Sequence, residues 1–304
     1  MQHDQFVPAR QEAKLRAKPE HLHMPQKSTA NASVWMLGWF ASMLLMTVSG
    51  REATQDLPVN MLMFFRSAIG LAILLPIVGW FGFSTLKTQQ LKGHAIRSTI
   101  HFGAQFSWFM ALSLIPLAQV ISIEFSMPIW AAVIATFYLG EKISQTRLLA
   151  IALGFVGILV IVQPGFAAFE AGQGWALASA FGFAGSVVLT KGLLKRDSAF
   201  ITLFYMIAVQ LLLGSLLAVF FWQWPSAHAW PWVIGAAIAG LTSHYSLARA
   251  LHLADASFVA QLDFARVPLT VLLGYWLYNE GVDAYLIAGA GLIILGNLIN
   301  LRRA

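Results

Sequence analysis

Two carboxylates lie inside stretches that are otherwise apolar enough for the interior of a membrane. Glu124 lies in VISIEFSMPIWAA, four residues before Pro128, and Asp263 lies in VAQLDFARVPLT, five residues before Pro268. A charged group within a membrane span is costly and usually faces a cavity or a charged partner. We therefore predict that the two acids flank a central cavity, with the prolines loosening each helix about one turn beyond the acid.

Two arginines are candidate partners of these acids. Arg266 lies three residues after Asp263 on the same helix face, which Thr270 continues. The Asp263–Arg266 pair either neutralises itself within one helix or reaches the cavity. Arg66 is a cavity residue, an anchor near the end of its span, or the partner of Glu124. If all four charges reach the cavity, they sum to near zero, which favours a zwitterion or a neutral polar ligand over a bare ion.

A polar stripe is expected on the third span. His101, Gln105 and Trp108 share one helix face by their spacing, and His244 and Tyr245 follow in the eighth span. The histidines either carry protons along the transport path or hydrogen-bond to a neighbouring helix. The aromatic side chains either stack on a flat ligand or serve packing and the interfacial belt. The same alternatives apply to Trp130, Phe264 and Trp276.

The composition requires that these residues be positioned by membrane helices. Hydrophobic residues make up 58% of the 304 and charged residues 11%, with a mean hydropathy of +0.70. Soluble domains average about 25% charged residues. The long continuous apolar runs favour helices over a β-barrel. A helical span needs about 20 residues, so the chain has room for about ten, and the fold class is an all-α integral membrane protein with ten transmembrane helices.

The positions of Lys and Arg predict the orientation. Apolar runs fall at roughly 33–50, 60–83, 95–115, 117–139, 147–163, 174–190, 200–222, 230–250, 254–278 and 284–301. With both termini in the cytoplasm, one set of loops and the C-terminus hold nearly all the basic residues, as the positive-inside rule requires. The opposite face holds Arg51 alone among them. The basic residues assigned to the cytoplasm are Lys87, Lys92, Arg97, Lys142, Arg147, Lys191, Lys195, Arg196, Arg249, Arg302 and Arg303.

An internal repeat is visible at an offset of 139 residues. At this offset IEF, which contains Glu124, meets LDF, which contains Asp263, and Gln105 meets His244. The offset carries the third span onto the eighth, so each repeat holds five spans, and an odd number of crossings inverts the second copy. Inverted repeats are typical of secondary transporters, whose substrate site lies near the midplane at the repeat interface. Further matches are Ala111–Ala250, Leu112–Leu251, Glu141–Glu280 and Gly157–Gly296.

Three segments resemble the drug/metabolite transporter superfamily, specifically proteins with two EamA-like domains. They are RSAIGLA, FYLGEKISQTRLLAIALGFVGILVIVQPG and WLYNEGVDAYLIAGAGLIILGNLI. The second copy departs from the pattern, with NEG where the first has GEK. The resemblance implies two five-helix repeats, at 32–165 and 170–304. The polar composition of residues 1–31, with three prolines, predicts a disordered cytoplasmic tail. It also implies transport of small organic metabolites across the inner membrane, and related carriers handle riboflavin or S-adenosylmethionine.

The sequence thus predicts a secondary carrier for an amino acid, an amine, a vitamin or a nucleoside-like compound, driven by protons or by the substrate gradient. Two other classes remain open: a membrane-embedded enzyme using Glu124 and Asp263, and a channel. No nucleotide-binding, hydrolase or metalloprotease motif is present, and the chain has no cysteine. We therefore expect no enzymatic activity, no cofactor, no metal and no nucleic acid. The expected partners are the bilayer, a small molecule and protons, in a monomer or homodimer.

Overall fold

The computed structural model describes residues 28–139, 145–163, 169–254, 259 and 262–301. All regular secondary structure in those residues is helical. The α-helices are α1 (Thr29–Asp56), α2 (Val59–Phe81), α3 (Leu91–Leu114), α4 (Leu117–Glu124), α5 (Met127–Leu139), α6 (Gln145–Val162), α7 (Ala171–Leu193), α8 (Ala199–Ala218), α9 (Ala229–Leu253), α10 (Arg266–Tyr278) and α11 (Ala284–Leu301). A short 3₁₀ helix, Phe83–Leu86, joins α2 to α3.

The helices fit a membrane protein in length and composition. Four of those described are long and apolar enough to cross a bilayer, namely α1, α2, α7 and α8. Shorter apolar stretches lie at Leu117–Ala131, Leu148–Val162 and Ala284–Ile299. Many large apolar side chains face outward, among them Leu212 at 62% and Phe137 at 85% exposure. A bilayer would cover such a surface, whereas water would leave it unfavourably hydrated.

The fourth and ninth predicted spans are interrupted. Helix α4 ends at Glu124, a turn occupies Phe125 and Ser126, and α5 begins immediately afterwards. In the ninth span the helix is interrupted directly after Asp263, and α10 begins at Arg266. The breaks are 139 residues apart and directly follow the acids. The expectation that the prolines loosen each helix a turn later is therefore wrong: they lie in the first turn of the following helix, where a missing N–H breaks no hydrogen bond.

Helices from the two halves of the chain pack against each other. The main pairs are α1 with α9, α3 with α7, α2 with α8, and α6 with α11. The large buried cluster lies among them and includes Met61, Phe109 and Ile121. Most of these contacts join residues far apart in sequence, so both halves of the chain form the interior. A site in the interior therefore contains residues from both halves.

Glycines set the approach of α6 to α11. A Cβ atom built at Gly289 would lie 2.6 Å from the backbone oxygen of Gly157 and 2.5 Å from Cγ1 of Ile161. A Cβ at Gly157 would lie 2.7 Å from the backbone oxygen of Gly289. The two backbones are therefore in direct contact, and a larger residue at either position must push the helices apart.

We expect Gly289→Val to destabilise the protein by about 1–3 kcal/mol, the usual effect of overpacking a close contact. Gly291→Val is the matched control, because Gly291 lies on the same helix with open space around it and the change in helix propensity is the same. Thermal unfolding in detergent measures both variants. Equal midpoints for the two would contradict the close backbone approach.

Candidate functional site

Arg266 joins the two acids that the sequence singled out. Its Nη2 donates to Oε1 of Glu124 at 2.9 Å, and its Nε lies 3.3 Å from Oδ1 of Asp263. Two indoles complete the group: Nε1 of Trp108 donates to Oε2 of Glu124 at 2.7 Å, and Nε1 of Trp39 donates to Oδ1 of Asp263 at 2.6 Å. We call these five residues the acidic cluster. Its formal charge is one negative unit.

The two helix breaks position this cluster. Glu124 is the last residue of α4, and Arg266 is the first residue of α10. A helix C-terminus disfavours an anion and a helix N-terminus disfavours a cation. Each charge is therefore placed against its own helix dipole, and the cross-helix ion pair compensates. Arrangements with such a local cost are typical of functional sites rather than of structural ion pairs.

A small cavity adjoins the acidic cluster. Its volume is about 120 Å³. It is lined by Glu124, Phe125, Met127, Pro128, Asp263, Phe264, Arg266 and Asn297. Nδ2 of Asn297 donates to the backbone oxygen of Phe125 at 2.7 Å, so α11 satisfies a carbonyl that the break in the fourth span releases. Ligand pockets usually measure about 300–1,000 Å³, so this site is closed around a space too small for most metabolites.

A second polar group runs along α3 and into α8 and α2. Arg97, His101 and Gln105 follow at four-residue spacing on one helix face and are all buried. Oε1 of Gln105 accepts from Nε2 of Gln210 at 3.0 Å, and Oε1 of Gln210 accepts from Nη2 of Arg66 at 3.3 Å. We call these five residues the polar track. It spans about 12 Å along α3, given 1.5 Å per residue.

Arg66 is not the partner of Glu124, so that alternative from the sequence is wrong. Its guanidinium lies over the ring of Phe109, with Cζ 5.7 Å from the centroid. A Cβ atom at Gly240 would lie 3.6 Å from Nη2, so α9 approaches the guanidinium by its backbone. Glu124 takes Arg266 as its partner instead. The four charges therefore do not form one balanced group, because Arg66 belongs to the polar track.

The remaining predicted residues divide between these groups and the surface. His244 lies beside the polar track, with its ring centroid 5.8 Å from that of His101. Oγ of Ser186 lies 3.3 Å from Nδ1 of His101, in line with the hydrogen-bonding alternative for the histidines. Tyr245 points elsewhere: it is 56% exposed and packs edge-on against Trp35. It joins neither group.

The other predicted aromatic residues serve mostly in packing. Trp130 packs edge-on against Phe155 and Phe181, and Trp276 is 74% exposed. Phe264 packs against Phe125, with ring centroids 5.5 Å apart, and both residues line the small cavity. These two aromatic residues are therefore placed to contact a ligand there.

Sequence reasoning missed three residues. Arg97 was assigned to a cytoplasmic loop, but it is 7% exposed within α3 and its Nε donates to Oγ1 of Thr190 at 2.9 Å. Its spacing from His101 could have identified it. Gln210 is fully buried in α8, where an amide in an apolar run was the available signal. Trp39 had none, because only the fold brings it to Asp263.

Polar contacts tie the two halves together at one end of the bundle, which we call the near face because α1 begins there. Oδ2 of Asp197, between α7 and α8, accepts from Oγ1 of Thr88 at 2.6 Å and from Nε2 of Gln90 at 3.0 Å. It also lies 2.8 Å from Nε2 of His94, whose ring stacks on Tyr205. We call Asp197, Thr88, Gln90 and His94 the near rim. A surface cavity of about 940 Å³ adjoins the near rim.

A second set of contacts closes the opposite end, the far face. Glu280, after α10, accepts from the backbone nitrogen of Leu117 at 2.8 Å, and its Oε1 lies 3.5 Å from Nη2 of Arg51. Nη1 of Arg51 also donates to the backbone oxygen of Ile115 at 2.8 Å. Burial raises the pKa of the Glu280 carboxyl. We call Arg51, Glu280 and Leu117 the far rim. Polar contacts therefore join the two halves of the chain at both ends of the bundle in this structure.

The contribution of the near rim to stability depends on pH. The hydrogen bond from Thr88, and then those from His94 and Gln90, hold the pKa of the Asp197 carboxyl below its usual value. A depressed pKa stabilises the folded state above the unfolded pKa of about 4, and this stabilisation is lost as the pH falls through the lower folded pKa.

We expect Asp197→Asn to lower the thermal midpoint at neutral pH by about 2–4 °C. The difference from wild type should shrink below about pH 4 and vanish once the pH is under the lower folded pKa of Asp197. Asp56→Asn is the control, because Asp56 is the exposed last residue of α1 at the far face and its contacts with Ser226 and His228 lie at the surface. Denaturation in detergent across this pH range measures both. A deficit that persists at low pH would show that the charge of Asp197 is not what stabilises the near rim.

Comparison with known sequences identifies the family. The sequence model of the EamA-like transporter family matches residues 31–163 and 171–302. An S-adenosylmethionine uptake transporter of Rickettsia conorii is 26% identical over 262 residues, which is 85% of this chain and 89% of that protein. A riboflavin transporter of Vibrio cholerae is 28% identical over 268 residues, covering 86% and 90%. A pseudopaline exporter of Pseudomonas aeruginosa is 26% identical over 247 residues, covering 81% and 87%.

Solved structures contain the same fold. One crystal structure of a protein superposes with a TM-score of 0.61 at 19% sequence identity. The match covers 90% of this chain and 97% of the other. The helical arrangement described above is therefore one that a natural protein adopts.

Proposed function

This chain belongs to the EamA-like transporter family, and we propose that it is a secondary carrier that moves its substrate by alternating access. It is a multi-pass membrane protein related to small-metabolite transporters, not to enzymes. The observation that carries the proposal is the acidic cluster, in which Arg266 joins Glu124 and Asp263 at two interrupted helices. Charges at broken helices near the centre of a bundle are where transporters place their substrates and coupling ions.

The symmetry of the contacts supports two inverted repeats. In the 139-residue alignment, α1 corresponds to α7 and α3 to α9, so the α1–α9 contact corresponds to the α7–α3 contact. The α6–α11 and α2–α8 contacts each correspond to themselves. The two breaks also correspond, residue for residue. A two-fold axis in the membrane plane accounts for all of these pairs, and we expect residues 95–163 to superpose on 234–302 after that rotation.

The two rims supply gates for alternating access. The near rim joins Asp197 of the second half to three residues of the first, and the far rim joins Glu280 of the second half to Arg51 and Leu117 of the first. Release of one rim while the other holds would open the acidic cluster to one side only. Since the central cavity measures about 120 Å³, a metabolite can enter only after such an opening.

The near face is the cytoplasmic one in this proposal. Lys87, Lys92, Lys191, Lys195 and Arg196 lie at the near face, whereas the far face holds Glu52, Asp56, Glu170, Glu280 and Asp283. This bias follows the positive-inside rule and places both termini in the cytoplasm of an inner-membrane protein. Both importers and an exporter are among the relatives, so the gradient, and not the fold, sets the direction of transport.

The substrate class follows from the site and the relatives. The named relatives transport S-adenosylmethionine and riboflavin, and we infer a small amphiphilic metabolite for this chain. Phe264 and Phe125 flank the cavity and suit a flat group. The acidic cluster carries one net negative charge and suits a cationic or proton-donating group, so proton coupling through Glu124 or Asp263 is part of the proposal.

Reconstitution into proteoliposomes tests the function. Vesicles preloaded with unlabelled S-adenosylmethionine or riboflavin, and vesicles preloaded with a pool of amino acids and amines, are diluted into trace labelled compound. A carrier accumulates label transiently above its external concentration and saturates, whereas a channel only equilibrates it. Chemical alteration of the label would point to an enzyme. Absence of accumulation with all preloads would reject the carrier proposal for these substrate classes.

A further inference from the structure

The polar track holds buried positive charge without a carboxylate among the described residues. Arg66 is 4% exposed and Arg97 is 7% exposed, and Nη1 of each has no hydrogen-bond partner among the residues that the structure describes. Their bonded neighbours, Gln210 and Thr190, are neutral. A buried cation that lacks a counter-charge weakens the folded state unless something else supplies one. The track therefore has the charge and the free donors of a binding site.

No described acid in the interior is available to these arginines. Glu124 and Asp263 are both engaged with Arg266, and Glu280 and Asp197 lie in the two rims. The described interior thus holds three guanidinium groups and two carboxylates, and both carboxylates belong to one cluster. The charge that the polar track lacks has to come from outside these residues.

Further donors converge on the same region. Within the described part of the chain, Nε2 of His101 is buried without a hydrogen-bond partner, and the ring of His244 lies next to that of His101. Arg97 and His101 lie one turn apart on α3, and Arg66 is joined through Gln210 to Gln105, one turn further along. Gly240 of α9 presents backbone rather than a side chain to Arg66, since a Cβ atom there would lie in van der Waals contact with the guanidinium, 3.6 Å from Nη2.

We propose that the polar track is a subsite for an oxyanion, the carboxylate or phosphate group of the transported metabolite. Arg66 and Arg97 supply charge-assisted hydrogen bonds, for which the guanidinium fork is well shaped. The rest of the ligand reaches the acidic cluster, because Gln105 of the track and Trp108 of the cluster are three residues apart on α3, about 4.5 Å along the axis. The inference rests on the carrier function, and it makes the substrate an amphoteric molecule held at both ends.

The direction in which Arg66→Gln shifts the thermal midpoint of the ligand-free protein tests the proposal. If Arg66 is kept for a ligand, Arg66→Gln removes an uncompensated buried charge and raises the thermal midpoint in detergent without oxyanions. If Arg66 is a structural residue, the same change lowers the midpoint. Gln retains a polar end toward Gln210, so the comparison isolates the charge. A lowered midpoint would overturn the proposal for Arg66.

Binding is measured with inorganic phosphate and with acetate, against chloride at equal ionic strength. We expect one of the two oxyanions to raise the midpoint of the wild type, and its apparent Kd to weaken about 10- to 100-fold in Arg66→Gln, the range for loss of a charged hydrogen bond. Arg97→Gln should weaken it similarly. Arg249→Gln is the matched control, since Arg249 is exposed on α9 and stacks on Trp35.

The two probes also identify the source of the oxyanion. A larger shift with acetate indicates a carboxylate, and a larger shift with phosphate indicates a phosphate group. No shift with either, or an equal shift in Arg66→Gln and wild type, would overturn the subsite. The carrier function would fail in a different experiment. Oxyanions would still bind, but no preload would support accumulation of label in proteoliposomes.

Discussion

Arg266→Met is expected to destabilise the protein by about 3–5 kcal/mol, the usual loss when one partner of a buried ion pair is removed. Removing the guanidinium leaves Glu124 without its cation in a site where its side chain is only 9% exposed. Asp263 loses the same partner. Breaking a buried ion pair from one side costs far more than replacing the whole group, because the remaining charge stays desolvated. Thermal unfolding of the purified variant in detergent measures the loss.

A triple variant distinguishes the contribution of charge to stability from the contribution of packing. Arg266→Met combined with Glu124→Gln and Asp263→Asn removes all three charges, and we expect most of the lost stability to return while transport does not. Arg249→Met, on the exposed face of α9, should change stability by less than about 1 kcal/mol. A triple variant as unstable as Arg266→Met alone would show that Arg266 stabilises the fold through its packing, not through the two acids.

Glu124→Gln and Asp263→Asn are each expected to slow transport at least about tenfold, which corresponds to about 1.4 kcal/mol in the limiting step. Each change keeps the side-chain volume and an acceptor for the indole donor, Trp108 or Trp39, but removes the charge that meets a cationic group or a proton. We also expect the pH dependence of the rate to flatten in at least one variant, because the group that exchanges the proton is gone.

Initial rates of counterflow at several pH values test this expectation, with the amount of folded protein checked by gel filtration. Asp56→Asn, which changes an exposed acid at the end of α1, is the control and should transport normally. If both site variants kept the wild-type rate and pH profile, the acidic cluster would have no part in transport.

Much of this architecture could be predicted from periodic apolar runs and the few acids. The alignment of Glu124 with Asp263 predicted that the two acids flank a cavity. In the structure both line the small cavity and both contact Arg266. The position of the helix breaks could not be predicted. Pro128 is the visible signal, yet the turn precedes it, since proline is accepted in the first turn of a new helix.

Choosing partners between helices was beyond the sequence. The sequence offered Arg66 as a partner of Glu124 and paired Arg266 with Asp263, whereas packing places Arg266 at 2.9 Å from Glu124. Arg97 was misassigned because a charge near a span boundary usually belongs to the loop. Its burial depends on Thr190 of α7, a contact across 93 residues. These contacts between residues far apart in sequence determine the chemistry of the site, and local sequence patterns do not predict them.

The accessibility of one introduced thiol reports directly on whether the acidic cluster opens to one side of the membrane at a time. The chain contains no cysteine, so Met127→Cys places a single thiol at the wall of the central cavity. A membrane-impermeant maleimide is applied to oriented vesicles from either face. Two backgrounds weaken the rims separately: Asp197→Ala at the near face and Glu280→Ala at the far face.

Under alternating access, Asp197→Ala speeds labelling from the near face alone, and Glu280→Ala speeds it from the far face alone. With both rims intact, labelling should be slow from each side. Labelling from the same face in both backgrounds, or from both faces at once in either one, would contradict alternating access and would indicate a one-sided pocket or a continuous pore.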